Sequence, residues 1–187
     1  MSAQIARRLF TVADYYQMAK SGIFSEDDRV ELMDGEIHEM CAVDAIHSAI
    51  VNRLNNMLNS RVGERFIISV QDPIRLNDLT EPQPDLAILR WHDDFYEQEH
   101  PTPGDVLVVV EVSNSSLNYD RTEKLPRYAA AGIPEVWLVN LERQCVEQYT
   151  QPEQDEYSIK RIVRRGAMLT SKVVDDLQLP IDRIFGF

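Results

Sequence analysis

Hydrophobic positions along the chain switch between a helical and a strand period, and the switches divide it into short elements. Thr11 is placed to cap a helix over VADYYQMAKS, because its hydroxyl can accept from the free N–H groups of the first turn, and Gly22 closes it. RVELMDGEIHEM centres on Asp34-Gly35, the dipeptide favoured where both turn positions need positive φ, and predicts a β-hairpin. Ile46, Ile50, Leu54, Met57, Leu58 and Val62 then recur at helical spacing, which predicts an amphipathic helix ended by Gly63.

From Arg65 the pattern changes to apolar runs bounded by turn residues: RFIISVQ, PDLAILR and DVLVVVEVS. The run VLVVV is apolar on consecutive residues and β-branched, so it reads as a central strand covered on both faces. Asp120 to Ala131 reads as a helix ended by Gly132-Ile133-Pro134, and EVWLVNL follows as a second buried strand. Strand, helix and strand in that order make a βαβ unit, and the fold class is α/β. QCVEQYTQ and EYSIKRIVR alternate as an antiparallel pair with a turn near Pro152, and the apolar tail LQLPIDRIFGF predicts a last short packed element. Trp91 to Gly104 is the longest irregular stretch.

Composition adds bounds. With 187 residues, 44% of them hydrophobic, the expectation is a single domain over residues 1–187 that folds without a disulfide or structural metal. Cys41 and Cys145 are lone residues without CxxC spacing, which argues against zinc and for a reducing cytoplasm. The start of the chain, MSAQIARRLFTVADYYQ, lacks an apolar signal core, and no apolar run is long enough to cross a membrane; a cytoplasmic protein is expected. Nineteen Lys and Arg against 31 Asp and Glu give a net charge of −12, which disfavours a protein that coats nucleic acid but not one that touches phosphate locally. Glu26 to Asp44 holds eight acids and one base, whereas Lys160 to Lys172 holds five bases and no acid. That segment, with Arg121 and Arg127, is the expected phosphate-facing surface.

Two acids stand at strand ends: Asp85 opens PDLAIL and Glu111 closes VLVVV. On neighbouring strands they could converge, and paired buried anions call for a compensating divalent cation. The plainer alternative makes Asp85 a turn residue after Pro84 and Glu111 a solvated strand-end acid. Lys124 follows at the start of the crossover helix; on the residues alone, an exposed lysine paired with Asp120 four positions earlier is the simpler account.

RVELMDGEI, a following helical His47, PDLAIL, VVVEVS and YDRTEK-x3-Y-x3-GIPEVWLV together resemble the Uma family of bacterial restriction endonucleases, in the PD-(D/E)XK nuclease superfamily. The resemblance runs from about Phe10 to Phe187 and implies a restriction-endonuclease-like mixed sheet flanked by helices, with an N-terminal helix and hairpin. It implies Asp85 and Glu111 as metal ligands beside the Val112 carbonyl, Glu31 as an additional acid and Lys124 as the catalytic lysine. The usual motif has its lysine two positions after the acid, where this chain has Ser113; Lys124 on the adjacent helix takes its place. Pro126 removes a helical N–H, which places Lys124 in the turn before the helix proper.

His47 could touch phosphate or a metal-bound water, or cap a strand carbonyl; Gln71, at the end of IISVQ, could reach the same site. Ser113 as a nucleophile lacks a nearby histidine and a GxSxG elbow. Tyr128 and Trp137 read as core. Positioned acid–base groups supply about 10²- to 10⁴-fold of rate, well short of what enzymes need, so Mg²⁺, or Mn²⁺, is the expected cofactor. The function expected is a Mg²⁺-dependent DNA endonuclease acting on duplex, as a homodimer. The alternatives are an inactive nuclease-fold module that binds nucleic acid or protein, and a phosphoesterase of small nucleotides.

Overall fold

A computed structural model describes residues 7–25 and 27–187; residues 1–6, and Glu26 of the acidic loop, lie outside them. Helix α1 (Val12–Lys20) opens on a complete capping box between Thr11 and Asp14. Strands β1 (Val30–Met33) and β2 (Glu36–Glu39) form the expected hairpin, with Asp34 and Gly35 at φ of 49° and 77°. Helix α2 (Ala45–Val62) is capped by the Asp44 carboxylate on the His47 N–H and ended by Gly63. Ile46, the first member of the apolar stripe, faces solvent; the buried stripe begins at Ile50.

Six strands make the main sheet, in the order β3 (Phe66–Val70), β4 (Leu86–Arg90), β5 (Val106–Ser113), β6 (Glu135–Asn140), β7 (Cys145–Glu153), β8 (Glu156–Val163). Only β5 and β6 run parallel, joined by the predicted crossover, and all eight residues of β5 are buried. The crossover contains α3 (Leu117–Tyr119), one π-helical turn at Asp120–Lys124, and α4 (Leu125–Ala130). Pro126 stands at the start of α4, directly after the π turn that carries Lys124.

One sheet face packs on α2 and on the tail, where β9 (Met168–Thr170) pairs with β10 (Gln178–Pro180) ahead of α5 (Ile181–Phe185). The other face is covered by Tyr128 and Ile133 of the crossover and by Ile74 and Leu76. The β7–β8 turn falls at Gln154-Asp155, and Pro152 is inside β7. Pro152 is tolerated there because β6 pairs with β7 only as far as Thr150, so beyond that point β7 has β8 on one side alone. Among the described residues no helix is long and apolar enough to cross a membrane.

Candidate active site

The C-terminal end of β5 opens into a cavity of about 200 Å³ lined by Glu31, His47, Gln83, Asp85, Glu111, Val112, Tyr119, Asp120 and Lys124, with Arg29 and Asp44 among the residues nearer its mouth. Each side chain arrives from a different element. The hairpin is bound to the segment before β4 through Glu81 N–H to Leu32 O (2.8 Å) and Gly35 N–H to Leu79 O (2.7 Å), which carries Glu31 inward. β4 and β5 are neighbours, so Asp85 and Glu111 come to the same sheet end. The π turn buries both Asp120 and Lys124.

At the centre the Lys124 ammonium lies 3.1 Å from Glu31 Oε2 and 3.2 Å from Glu111 Oε1, and donates to the Gln83 carbonyl at 3.5 Å. The Tyr128 hydroxyl donates to the same Glu111 oxygen at 2.7 Å. Glu31 also accepts from the Gln83 N–H (3.1 Å) and the Tyr119 hydroxyl (3.1 Å). Because the single Tyr119 proton goes to Glu31, its contact of 2.9 Å with His38 makes His38 Nδ1 the donor. Asp85 forms a second centre. Its Oδ2 accepts from the Val112 N–H (2.8 Å) and contacts His47 Nε2 (3.0 Å), while Oδ1 accepts from Gln71 Nε2 at 3.3 Å.

Burial sets the electrostatics. It pushes Glu111 up to about 8 in spite of Lys124, with Asp120 and Asp85 adding to the rise. Burial likewise raises Asp120. For Lys124, burial alone would lower the pKa, but Glu111, Glu31 and Asp120 outweigh it and hold the ammonium protonated. His47 is raised, chiefly by its hydrogen bond to Asp85. The site thus has more carboxylate than its buried cation can compensate.

A family model described as "Putative restriction endonuclease", Uma2, matches residues 12–182, a span that contains every residue of this site. The chain belongs to the Uma2 family. A solved structure from Anabaena variabilis, described as a putative nuclease belonging to DUF820, has the same fold: the TM-score is 0.72 over 95% of this chain and 98% of that one, at 16% identity. No match is found among curated proteins.

In this Uma2 chain the structure brings Asp85, Glu111, Glu31, Lys124, Val112 and His47 to one cavity, and Gln71 touches it through Asp85. Val112 meets Asp85 by its N–H. His47 bonds Asp85 and no strand carbonyl, and its Nδ1 is buried without a partner. Ser113 is fully buried and lies outside the cavity lining, out of reach of a substrate held there.

Three members of the expected phosphate-facing surface are engaged elsewhere. Arg121 and Lys160 are both paired to the buried Glu147, and Arg127 is paired to Asp34 and Glu123; none of them lines the cavity. Sequence reasoning missed Tyr119, His38, Gln83 and the inward role of Asp120, and it left Tyr128 in the core although its hydroxyl serves Glu111. The available signal was the run YDRTEK, whose Tyr119, Asp120 and Lys124 all face the cavity.

Among the described residues no three His, Cys, Asp or Glu side chains stand as a ready-made metal cage, because Lys124 lies between Glu31 and Glu111. The donors nevertheless suit a hard cation such as Mg²⁺, which takes one or two carboxylates and keeps most of its waters. The buried carboxyls of Glu111 and Asp120, beside the half-buried Asp85, are the groups whose charge such an ion would balance.

Proposed function

We propose that this chain is a Mg²⁺-dependent endonuclease that hydrolyses phosphodiester bonds of duplex DNA, working in the cytoplasm as a symmetric pair, which suits cutting both strands. The observation that carries the reading is a buried ammonium bridging two acids beside Asp85 at the end of a central strand. Family membership supports nucleic acid as the substrate.

Asp85 and Glu111, with the Val112 carbonyl, would hold Mg²⁺ or Mn²⁺; when bound, the ion neutralises phosphoryl charge and lowers the pKa of a coordinated water. Glu31 supports the set by holding Lys124. Lys124 remains charged because three acids surround it, so it orients a water or a phosphoryl oxygen and does not act as a base. Tyr119 and His38 fix Glu31, Tyr128 fixes Glu111, and Gln71 and His47 fix Asp85.

Nicking of supercoiled plasmid with Mg²⁺ or Mn²⁺, by wild type and by Asp85→Ala, tests the reading. Wild type should nick and the variant should not. Equal activity in both, or activity that survives excess chelator, would sink it. The full engagement of Lys124 by Glu31 and Glu111 favours one second reading, a nuclease-fold module that binds nucleic acid or protein without cutting. Calorimetry discriminates: that reading gains if no Mg²⁺ or Mn²⁺ binding depends on Asp85 and Glu111.

A further inference from the structure

Away from the cleft, an open groove of about 320 Å³ runs between α2 and α5, lined by Asn52, Arg53, Asn56, Met57 and Arg183. It contains no acid, in a chain whose net charge is −12. Most bases near the cleft are already paired, whereas among the described residues neither Arg53 nor Arg183 has an ion-pair partner. The neighbouring Asp182 is turned away, accepting from the Gly166 N–H at 3.1 Å. Arg53 is seated against the end of α5: a Cβ on Gly186 would stand 2.8 Å from its guanidinium carbon. Two guanidiniums and two carboxamides therefore offer their N–H donors to one groove.

We infer that this groove binds a backbone phosphate of the nucleic acid whose scissile phosphate enters the cleft, an inference that rests on the nuclease reading above. Charge selects the occupant: guanidinium and carboxamide donors without a carboxylate match a phosphodiester. Helix α2 reaches both places. His47 touches Asp85 from the first turn, and Arg53 lies six residues further on, about 9 Å along the axis and about 120° round it. At one phosphate per about 3.4 Å of duplex axis in each strand, a separation of at least about 9 Å puts that phosphate about three or more nucleotides from the cut. The groove would thus add cationic contact to that of a cleft lined mostly by acids, from a lining that holds none.

The test is equilibrium binding of a short fluorescein-labelled duplex across a salt series, in chelator so that no cleavage intervenes. Wild type is compared with R53Q/R183Q and with R164Q/R165Q, which removes the same charge from the β8 end. Both arginines of the first pair face solvent, so the fold is retained, and circular dichroism checks it. R53Q/R183Q should bind about tenfold or more weakly, with a slope of log affinity against log salt shallower by about 2; R164Q/R165Q should match wild type. Mn²⁺-dependent hydrolysis of bis(p-nitrophenyl) phosphate, which has no flanking phosphate, should be unchanged in R53Q/R183Q. An unchanged slope in R53Q/R183Q, an equal loss in R164Q/R165Q, or no duplex binding by wild type overturns the groove. Weakened binding in R53Q/R183Q from a wild type that does not nick plasmid would uphold the groove and overturn the nuclease reading instead.

Discussion

Lys124 is a buried cation shared by Glu31 from the hairpin, Glu111 from the central strand and Asp120 from its own turn. Replacing it by Gln leaves these carboxylates facing one another without compensation, at a cost of about 3 kcal/mol or more. Guanidinium unfolding of Lys124→Gln should show that loss, and Glu31→Gln in the same chain should restore part of it; strict additivity of the two would refute the coupling. Tyr119→Phe removes the hydroxyl that links His38 to Glu31. It should cost about 1–2 kcal/mol of stability and slow nicking while duplex affinity is retained, so a parallel fall in affinity would show that Tyr119 touches substrate. Glu147 lies outside the cavity lining. Burial alone would raise its pKa, but Arg121, Lys160 and Tyr149 hold it down at about 2 against an ordinary 4.5. A folded pKa below the unfolded one means stability that is fully present above pH 4.5 and drains as pH falls toward 2. The stability gap between wild type and Glu147→Gln should therefore be flat above about pH 5 and close on acidification; a constant gap down to pH 2 would contradict this.

The hairpin is the element on which the site most depends, because it alone brings Glu31 to the cavity and, from the facing strand position, His38 to Tyr119. Its turn tolerates only glycine at position 35. The φ there is +77°, and an added Cβ would lie 2.6 Å from Leu9 Cβ and 3.1 Å from the Phe10 main chain. Gly35→Ala combines strain with a clash against backbone, and should destabilise by about 2–4 kcal/mol, read from chemical denaturation. A loss below about 0.5 kcal/mol, the range of neutral surface changes, would mean that the N-terminal segment yields freely. The crossover shows the converse use of irregularity. One π turn ahead of Pro126 turns both Asp120 and Lys124 inward, where a regular solvated turn would leave this i,i+4 pair on the surface.

Over the whole molecule, the charge of −12 divides among different tasks. Glu31, Asp85, Glu111 and Asp120 gather at the cavity, and Glu147 consumes Arg121 and Lys160, which leaves the α2–α5 groove as a cationic place without acids. If an ion balances the cavity acids, it binds the folded state alone and must stabilise it. Mg²⁺ at a hundredfold excess over its Kd should add about 2.7 kcal/mol, seen as a higher Tm for wild type and not for Asp85→Ala. An equal shift in both proteins would locate the ion elsewhere.

The periods of the chain already defined the hairpin, α2, the buried β5–β6 pair and the crossover, because burial on one face or two leaves a local signature in consecutive residues. The resemblance carried by PDLAIL, EVS and YDRTEK pointed to Asp85, Glu111 and Lys124 for the same reason: a motif is local. Partnership is not. Nothing near Lys124 in the chain announces Glu31, 93 residues earlier, and nothing near Asp85 announces His47. The basic run from Lys160 read as a free surface, since the buried Glu147 that takes up Lys160 lies on the adjoining strand. Pro152 read as a turn residue, since only the early end of β6 frees β7 to accept it. Local pattern follows from each residue's own burial, whereas ion pairs and hydrogen bonds depend on which distant elements the packing brings within about 3 Å.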